Sequence, residues 1–134
     1  MDTTLLILGC SVFVVLGLGH AALVLFTTKF EPKDSELLEK LKSGQTGFTK
    51  TGNIWNGIRG FHLSHSLGLV LFGGFYITLA LENNSYLKSS TPLNLALFVV
   101  PAIYILLAHR FWFSVPRNCF VVAVCFLAAS VAYR

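Results

Sequence analysis

Four long apolar runs, separated by polar segments, set the organisation of this 134-residue chain. Each run is close to the roughly 20 residues that an α-helix needs to cross the hydrocarbon core of a bilayer. We therefore predict an all-α, polytopic membrane protein: a four-helix transmembrane bundle of up-down-up-down topology, forming a single transmembrane domain over residues 1–134. The polar segment 83–90 is predicted to be only a short turn. The predicted membrane helices cover about residues 4–28, 54–82, 92–113 and 116–133.

The one long polar stretch, residues 29–53, carries the signals of an additional short helix. Asp34 or Ser35 is a suitable N-cap, and Gly44 is a suitable helix end. These signals predict a helix at about residues 35–43, with three leucines on one face. Such a helix would lie on the lipid headgroups, and the alternative is a solvated surface helix.

The second membrane helix gathers its polar residues at its start. At 100° per residue, Trp55, Arg59 and His62 lie on one stripe, and His65 lies beside it. Trp55 also suits the aromatic belt at the membrane interface. Polar side chains inside a membrane are costly and by default suggest a function. This end of the helix is therefore the first place to look for a site.

A second surface of the same helix carries small residues four apart, namely Gly60, Ser64 and Gly68. Small residues at this spacing let another helix approach closely. They predict contact with a membrane-protein partner or self-association of the chain.

The basic residues are distributed unevenly between the two sides of the predicted bundle. Eight Lys or Arg residues lie on the side of the long loop, whereas only Lys88 and Arg134 lie on the other. By the positive-inside rule, the loop 29–53 is predicted to be cytoplasmic and both termini to be outside. The net charge of +4 is explained by this topology signal, so the lipid bilayer, and no nucleic acid, is the predicted partner.

All four histidines of the chain are predicted to lie in the cytoplasmic half of the membrane. His20 is near the end of the first helix, His62 and His65 are near the start of the second, and His109 is near the end of the third. Imidazoles are common ligands of transition metals and haem iron, and they also suit a pocket for a quinone-like molecule. Arg59 is the predicted anion contact. The alternative is that the imidazoles only hydrogen-bond within the bundle and stabilise it.

The sequence assigns no catalytic residue. It contains nothing that resembles a nucleophile elbow, a phosphate-binding glycine loop or an HExxH helix. We therefore predict a histidine-lined site for a haem, a transition metal or a quinone-like ligand. The alternative function is a structural or accessory subunit of a larger membrane complex, with no cofactor of its own.

Two short motifs carry a resemblance to a known group of proteins. Gly19-His20 lies late in the first helix, and a Gly-Phe-His-x-Ser-His-Ser-x-Gly run at residues 60–68 opens the second. In this layout the chain resembles small, uncharacterised four-helix proteins of the bacterial inner membrane. The resemblance covers most of the chain and implies that location, but it implies no particular activity.

Overall fold

The computed structural model describes residues 1–47 and 51–133. Their regular structure is helical, with one isolated antiparallel bridge between Gln45 and Asn53. This confirms the predicted all-α class. Residues 48–50 of the predicted cytoplasmic loop, with Lys50, and the terminal Arg134 lie outside the described residues. The helices are α1 (Thr3–Phe26), α2 (Ser35–Ser43), α3 (Ile54–Glu82), α4 (Asn84–Ser89), α5 (Thr91–Phe111) and α6 (Ser114–Ala132).

Four of these helices, α1, α3, α5 and α6, are long and apolar enough to cross a membrane. They also expose large apolar side chains, among them Phe26, Phe61 and Phe111, which are 82%, 74% and 73% exposed. In water such surfaces would be aggregation liabilities, but the hydrocarbon of a bilayer solvates them. The protein is therefore an integral membrane protein.

The short helices begin at side-chain caps. The Asp34 carboxylate accepts hydrogen bonds from the backbone N–H groups of Glu36 and Leu37, at 2.9 and 3.2 Å, and so starts α2. The Asn83 side chain accepts from the N–H of Tyr86 at 3.1 Å and starts α4. A turn was expected at residues 83–90, and α4 differs from that expectation because this asparagine caps a helix of just six residues.

The chain divides into two compact units. Residues 1–16 and 69–134 form the first, which we call the bundle unit, and residues 17–68 form the second, which we call the loop unit. The bundle unit contains α4, α5, α6 and parts of α1 and α3. The loop unit contains α2 and the remaining parts of α1 and α3.

Aromatic side chains fill one half of the core of the bundle unit. The fully buried Phe13 lies against Phe72 and Phe120, with ring centroids 5.0 and 5.4 Å away. Tyr104 stacks on Phe120 itself, with the ring centroids 5.1 Å apart. Between membrane helices, association is driven by close packing rather than by exclusion of water. These contacts therefore hold α1, α3, α5 and α6 together.

Two glycines allow helices of the bundle unit to approach closely. A Cβ added at Gly73 would lie 2.6 Å from the carbonyl oxygen of Cys10. A Cβ added at Gly9 would lie 2.9 Å from Cδ2 of Leu127 and 3.1 Å from the carbonyl oxygen of Ala123. The backbone of α1 therefore lies directly against α3 at one point and against α6 at another.

Polar contacts join the ends of the helices within the same unit. The backbone N–H of Asp2 donates to the carbonyl of Ser130 at 2.6 Å, and the Asn84 side-chain amide donates to the Thr3 hydroxyl at 2.6 Å. The Tyr76 hydroxyl donates to the carbonyl of Leu93 at 2.7 Å. A buried polar group is costly without such a partner, so these bonds fix the register of the helices.

Candidate functional site

The loop unit brings three of the four histidines into contact. Nε2 of His20, on α1, lies 3.0 Å from Nδ1 of His62, on α3, within hydrogen-bonding distance. The imidazole centroids of His20 and His62 are 5.1 Å apart, and those of His20 and His65 are 5.5 Å apart. His62 and His65 share a face of α3 because residues three apart are neighbours on a helix.

The bond between His20 and His62 restricts what each ring can do. Of His20 Nε2 and His62 Nδ1, one must carry the proton and donate it, and the other must be unprotonated and accept it. If His20 Nε2 donates, the remaining nitrogen of a neutral His62 is a donor; if it accepts, that nitrogen is an acceptor. His62 can therefore match either kind of polar group on a ligand.

Phe30 lies against this pair of imidazoles. Its ring centroid is 4.7 Å from that of His20 and 4.9 Å from that of His62. Phe30 lies between α1 and α2, in the segment that follows the end of α1 at Phe26. Phe30 was not predicted as a site residue, and its single signal in the sequence is an aromatic side chain in an otherwise polar stretch.

A cavity of about 290 Å³ opens beside His62, within the loop unit. Aromatic and aliphatic side chains form most of its wall, and Trp55 is among them, only 7% exposed. Such a combination of apolar walls with a few polar groups is typical of small-molecule sites. The lining residues are Val24, Leu25, Phe26, Thr27, Thr28, Phe30, Glu31, Trp55, Arg59 and His62.

Two opposite charges line this cavity, Arg59 and Glu31, and both side chains are half-buried. Among the described residues, neither side chain has a hydrogen-bond or ion-pair partner. The backbone N–H of Glu31 donates to the carbonyl of Thr28 at 2.9 Å, in a turn that carries the carboxylate to the cavity wall. Glu31, like Phe30, was not predicted from the sequence as a site residue.

The five residues predicted for the site thus have different placements. His62 and Arg59 line the cavity, and His20 and His65 are in ring contact next to it. His109 is an exposed residue near the end of α5 and belongs to the bundle unit.

The arrangement of the imidazoles bears on metal and haem ligation. Residues 1–47 and 51–133 contain no group of three or more His, Cys, Asp or Glu side chains placed to hold a metal ion. A haem held by two histidines needs the macrocycle between the two rings, whereas His20 and His62 are in direct hydrogen-bonding contact. The geometry therefore suits hydrogen bonding better than ligation.

The predicted ladder of small residues faces away from the rest of the described chain. Gly60, Ser64 and Gly68 are all exposed, and a Cβ added at Gly60 would have no atom within 4 Å. The Ser64 hydroxyl donates to the carbonyl of Phe61 on its own helix, at 2.9 Å. By contrast, Gly9 and Gly73 do make close helix approaches.

The chemistry of the site is inferred from these residues alone. Comparisons with protein-family models, with curated proteins and with solved structures find no match to this chain.

Proposed function

We propose that this integral membrane protein binds an amphiphilic small molecule, quinone-like in having an apolar body and a hydrogen-bonding head, in the cavity beside His62. The observation that supports this most directly is the cavity itself. It combines apolar walls with an imidazole, a guanidinium and a carboxylate within about 290 Å³.

The two ends of such a ligand match different parts of the cavity wall. Val24, Leu25 and Phe26 are apolar and belong to the last turns of α1. His62 and Arg59 supply hydrogen-bonding groups from α3. A molecule dissolved in the bilayer would therefore bring its body from the lipid and place its head against His62.

The other two ligands that the sequence leaves open receive less support. Haem and transition metals would have to replace the hydrogen bond between His20 and His62 by bonds to the metal. Imidazoles suit both groups chemically, so the test is direct. Oxidised and dithionite-reduced optical spectra, with metal analysis of the same sample, should show neither haem nor stoichiometric metal. A Soret band or bound metal that disappears in His62→Ala would show that the ligand is haem or a metal ion and not an amphiphile.

Binding of an amphiphile is expected to quench the fluorescence of Trp55, since this buried side chain lines the cavity. The background variant is Trp112→Phe, because Trp55 and Trp112 are the two tryptophans of the chain. Detergent-purified protein is titrated with decylubiquinone and, separately, with a phospholipid brominated on its acyl chains. We expect saturable quenching by at least one of the two probes.

The matched control is Trp55→Phe, which leaves only Trp112, on the exposed end of α5. Its quenching should rise linearly with probe concentration, without saturation. Linear quenching of Trp55 by both probes would refute the proposed function.

The orientation that we propose has the loop 29–53 on the cytoplasmic side of a bacterial inner membrane and both termini outside. The excess of Lys and Arg around the long loop supports it. A reporter that is active only in the cytoplasm, placed within residues 44–47, should be active, and the same reporter fused after residue 133 should be inactive. The reverse result would show that the loop 29–53 is outside and that the proposed orientation is wrong.

The open face of α3 supports a second function, that of an accessory subunit in a larger membrane complex. Gly60 leaves space for another helix to approach. Gly60→Leu should then reduce recovery of co-purifying membrane proteins, or of self-associated chain after crosslinking, while leaving Trp55 quenching unchanged. The control is Gly19→Leu on α1, where an added Cβ also meets no atom within 4 Å. Equal recovery with both variants would remove this candidate.

A further inference from the structure

We infer that the head of the bound amphiphile is zwitterionic, with its anionic group bound by Arg59 and its cationic group bound by Glu31. This inference rests on the proposed function and names the class of its ligand. It identifies the molecule as a zwitterionic phospholipid with a phosphate and a primary ammonium group.

The cavity wall carries one pair of opposite charges. Arg59 and Glu31 are the only charged residues among the described residues that line it. Although they share one cavity, no ion pair within 4.0 Å joins them, and neither has another partner in the described part of the chain. A half-buried charge that has lost part of its hydration gains from any ligand that supplies the opposite charge.

Three kinds of ligand headgroup differ in how well they match such a wall. A purely anionic head would pair with Arg59, but Glu31 would repel it. A neutral quinone would accept hydrogen bonds from Arg59 and leave the carboxylate without a partner. A headgroup that carries both charges pairs with both residues. The like charges of Glu31 and a purely anionic headgroup would disfavour that wrong ligand.

The cavity lies near the ends of two long apolar helices, α1 and α3. Its wall includes Trp55, in the first turn of α3, and residues at the end of α1. Tryptophan at a helix end is characteristic of the headgroup level of the bilayer. Leu25 and Phe26 line the cavity and are also exposed on the outside of α1, 47% and 82% respectively. Acyl chains could leave the cavity along these residues into the surrounding lipid.

Arginine is well suited to the phosphate end of this head. Its planar guanidinium donates two parallel hydrogen bonds to phosphate oxygens. The carboxylate of Glu31 accepts from the three N–H donors of a primary ammonium. His62 remains available for the ester or glycerol oxygens.

The test is lipid retention by the full chain in detergent, measured by native mass spectrometry with phosphatidylethanolamine, phosphatidylglycerol and decylubiquinone added in turn. We expect phosphatidylethanolamine to be retained roughly tenfold more tightly than phosphatidylglycerol, since the second lipid has no ammonium and meets Glu31 with a net negative charge. Equal or tighter retention of phosphatidylglycerol would overturn the inference.

Variants of the two charged residues separate their roles. Glu31→Gln should abolish the preference for phosphatidylethanolamine by improving retention of phosphatidylglycerol. Arg59→Gln should weaken the retention of both lipids. Arg59→Lys should keep the preference for phosphatidylethanolamine. The controls are Glu82→Gln and Lys33→Gln, which remove exposed charges outside the cavity. If Glu31→Gln leaves the ratio of the two lipids unchanged, the inference fails.

The two proposals fail in different ways. Saturable quenching of Trp55 by decylubiquinone, without retention of phosphatidylethanolamine, would leave the amphiphile site in place and overturn its zwitterionic ligand. Absence of saturable quenching by every probe would overturn both. Glu31→Gln is expected to gain retention of phosphatidylglycerol, and a gain of binding cannot be ascribed to misfolding.

Discussion

Gly73→Ala is expected to lower the free energy of unfolding by about 1–3 kcal/mol, the usual cost of overpacking a tight interior. The new methyl carbon would lie 2.6 Å from the carbonyl oxygen of Cys10, 2.8 Å from Cγ2 of Val14 and 3.2 Å from Cβ of Phe13. A backbone carbonyl cannot rotate away as a flexible side chain can, so α1 and α3 must move apart. That movement would also loosen Phe13 from Phe72 and Phe120.

Gly74→Ala is the matched control. Gly74 follows Gly73 on the same helix, and a Cβ added at Gly74 would have no atom within 4 Å. Alanine is favoured over glycine in helices by roughly 0.5–1 kcal/mol, so this variant should be unchanged or slightly more stable. Denaturant or thermal unfolding in one detergent, followed by circular dichroism, compares the two. Equal stability of the two variants would show that α1 and α3 are not in backbone contact at Gly73.

His62→Ala is expected to weaken binding of the cavity ligand at least tenfold, which corresponds to about 1.4 kcal/mol. The change removes the imidazole that lines the cavity and deprives His20 Nε2 of its hydrogen-bond partner. The saturable quenching of Trp55 in the Trp112→Phe background measures the effect. His109→Ala, an exposed histidine of the bundle unit, should bind as the parent protein does.

A double-mutant cycle separates the contact with ligand from the contact between the two histidines. If His20 acts by positioning His62, then His20→Ala should cost less than His62→Ala, and the double variant should cost little more than His62→Ala alone. A coupling energy of about 0.5–3 kcal/mol is typical of residues in direct contact. Strictly additive losses would mean that His20 acts on the ligand independently of His62.

The four long apolar helices could be predicted from sequence because their signal is local. A run of apolar residues long enough to span the hydrocarbon core has few alternatives to a helix. The exception is α4, where the polar composition of residues 84–89 suggested a turn. Its helical state depends on the cap at Asn83 and on Leu87, which is fully buried in the core of the bundle unit.

The contacts among the candidate site residues could not be predicted from the sequence, for a physical reason. The order of the helices and the position of each histidine along its helix predict one depth for His20, His62 and His65, but they do not predict the contact between His20 and His62. Phe30 and Glu31 lie in the segment between α1 and α2, whose path is set by tertiary contacts with the imidazoles rather than by periodicity.

The rotation of each helix about its axis, which decides which face meets a neighbouring helix, could not be predicted from the sequence either. The regular spacing of Gly60, Ser64 and Gly68 is a recognisable pattern for close helix contact, yet Gly60 is open in this structure. The tightest of the described approaches is made by Gly73, one of two adjacent glycines within an apolar stretch. Adjacent glycines lie on different faces of a helix and give no three- or four-residue spacing to detect, so the role of Gly73 emerges only when Cys10 lies opposite.

The division of the chain into two units also determines the order in which it can assemble during synthesis. The loop unit is one continuous segment, residues 17–68, so its contacts can form soon after the ribosome has delivered them. The bundle unit joins residues 1–16 to residues 69–134, and its bond from Asp2 to Ser130 spans almost the whole chain. Contacts between residues so distant in sequence form slowly. The first turns of α1 are thus made long before α6, one of the helices that they pack against, and until α6 is made Phe13 cannot rest against Phe120.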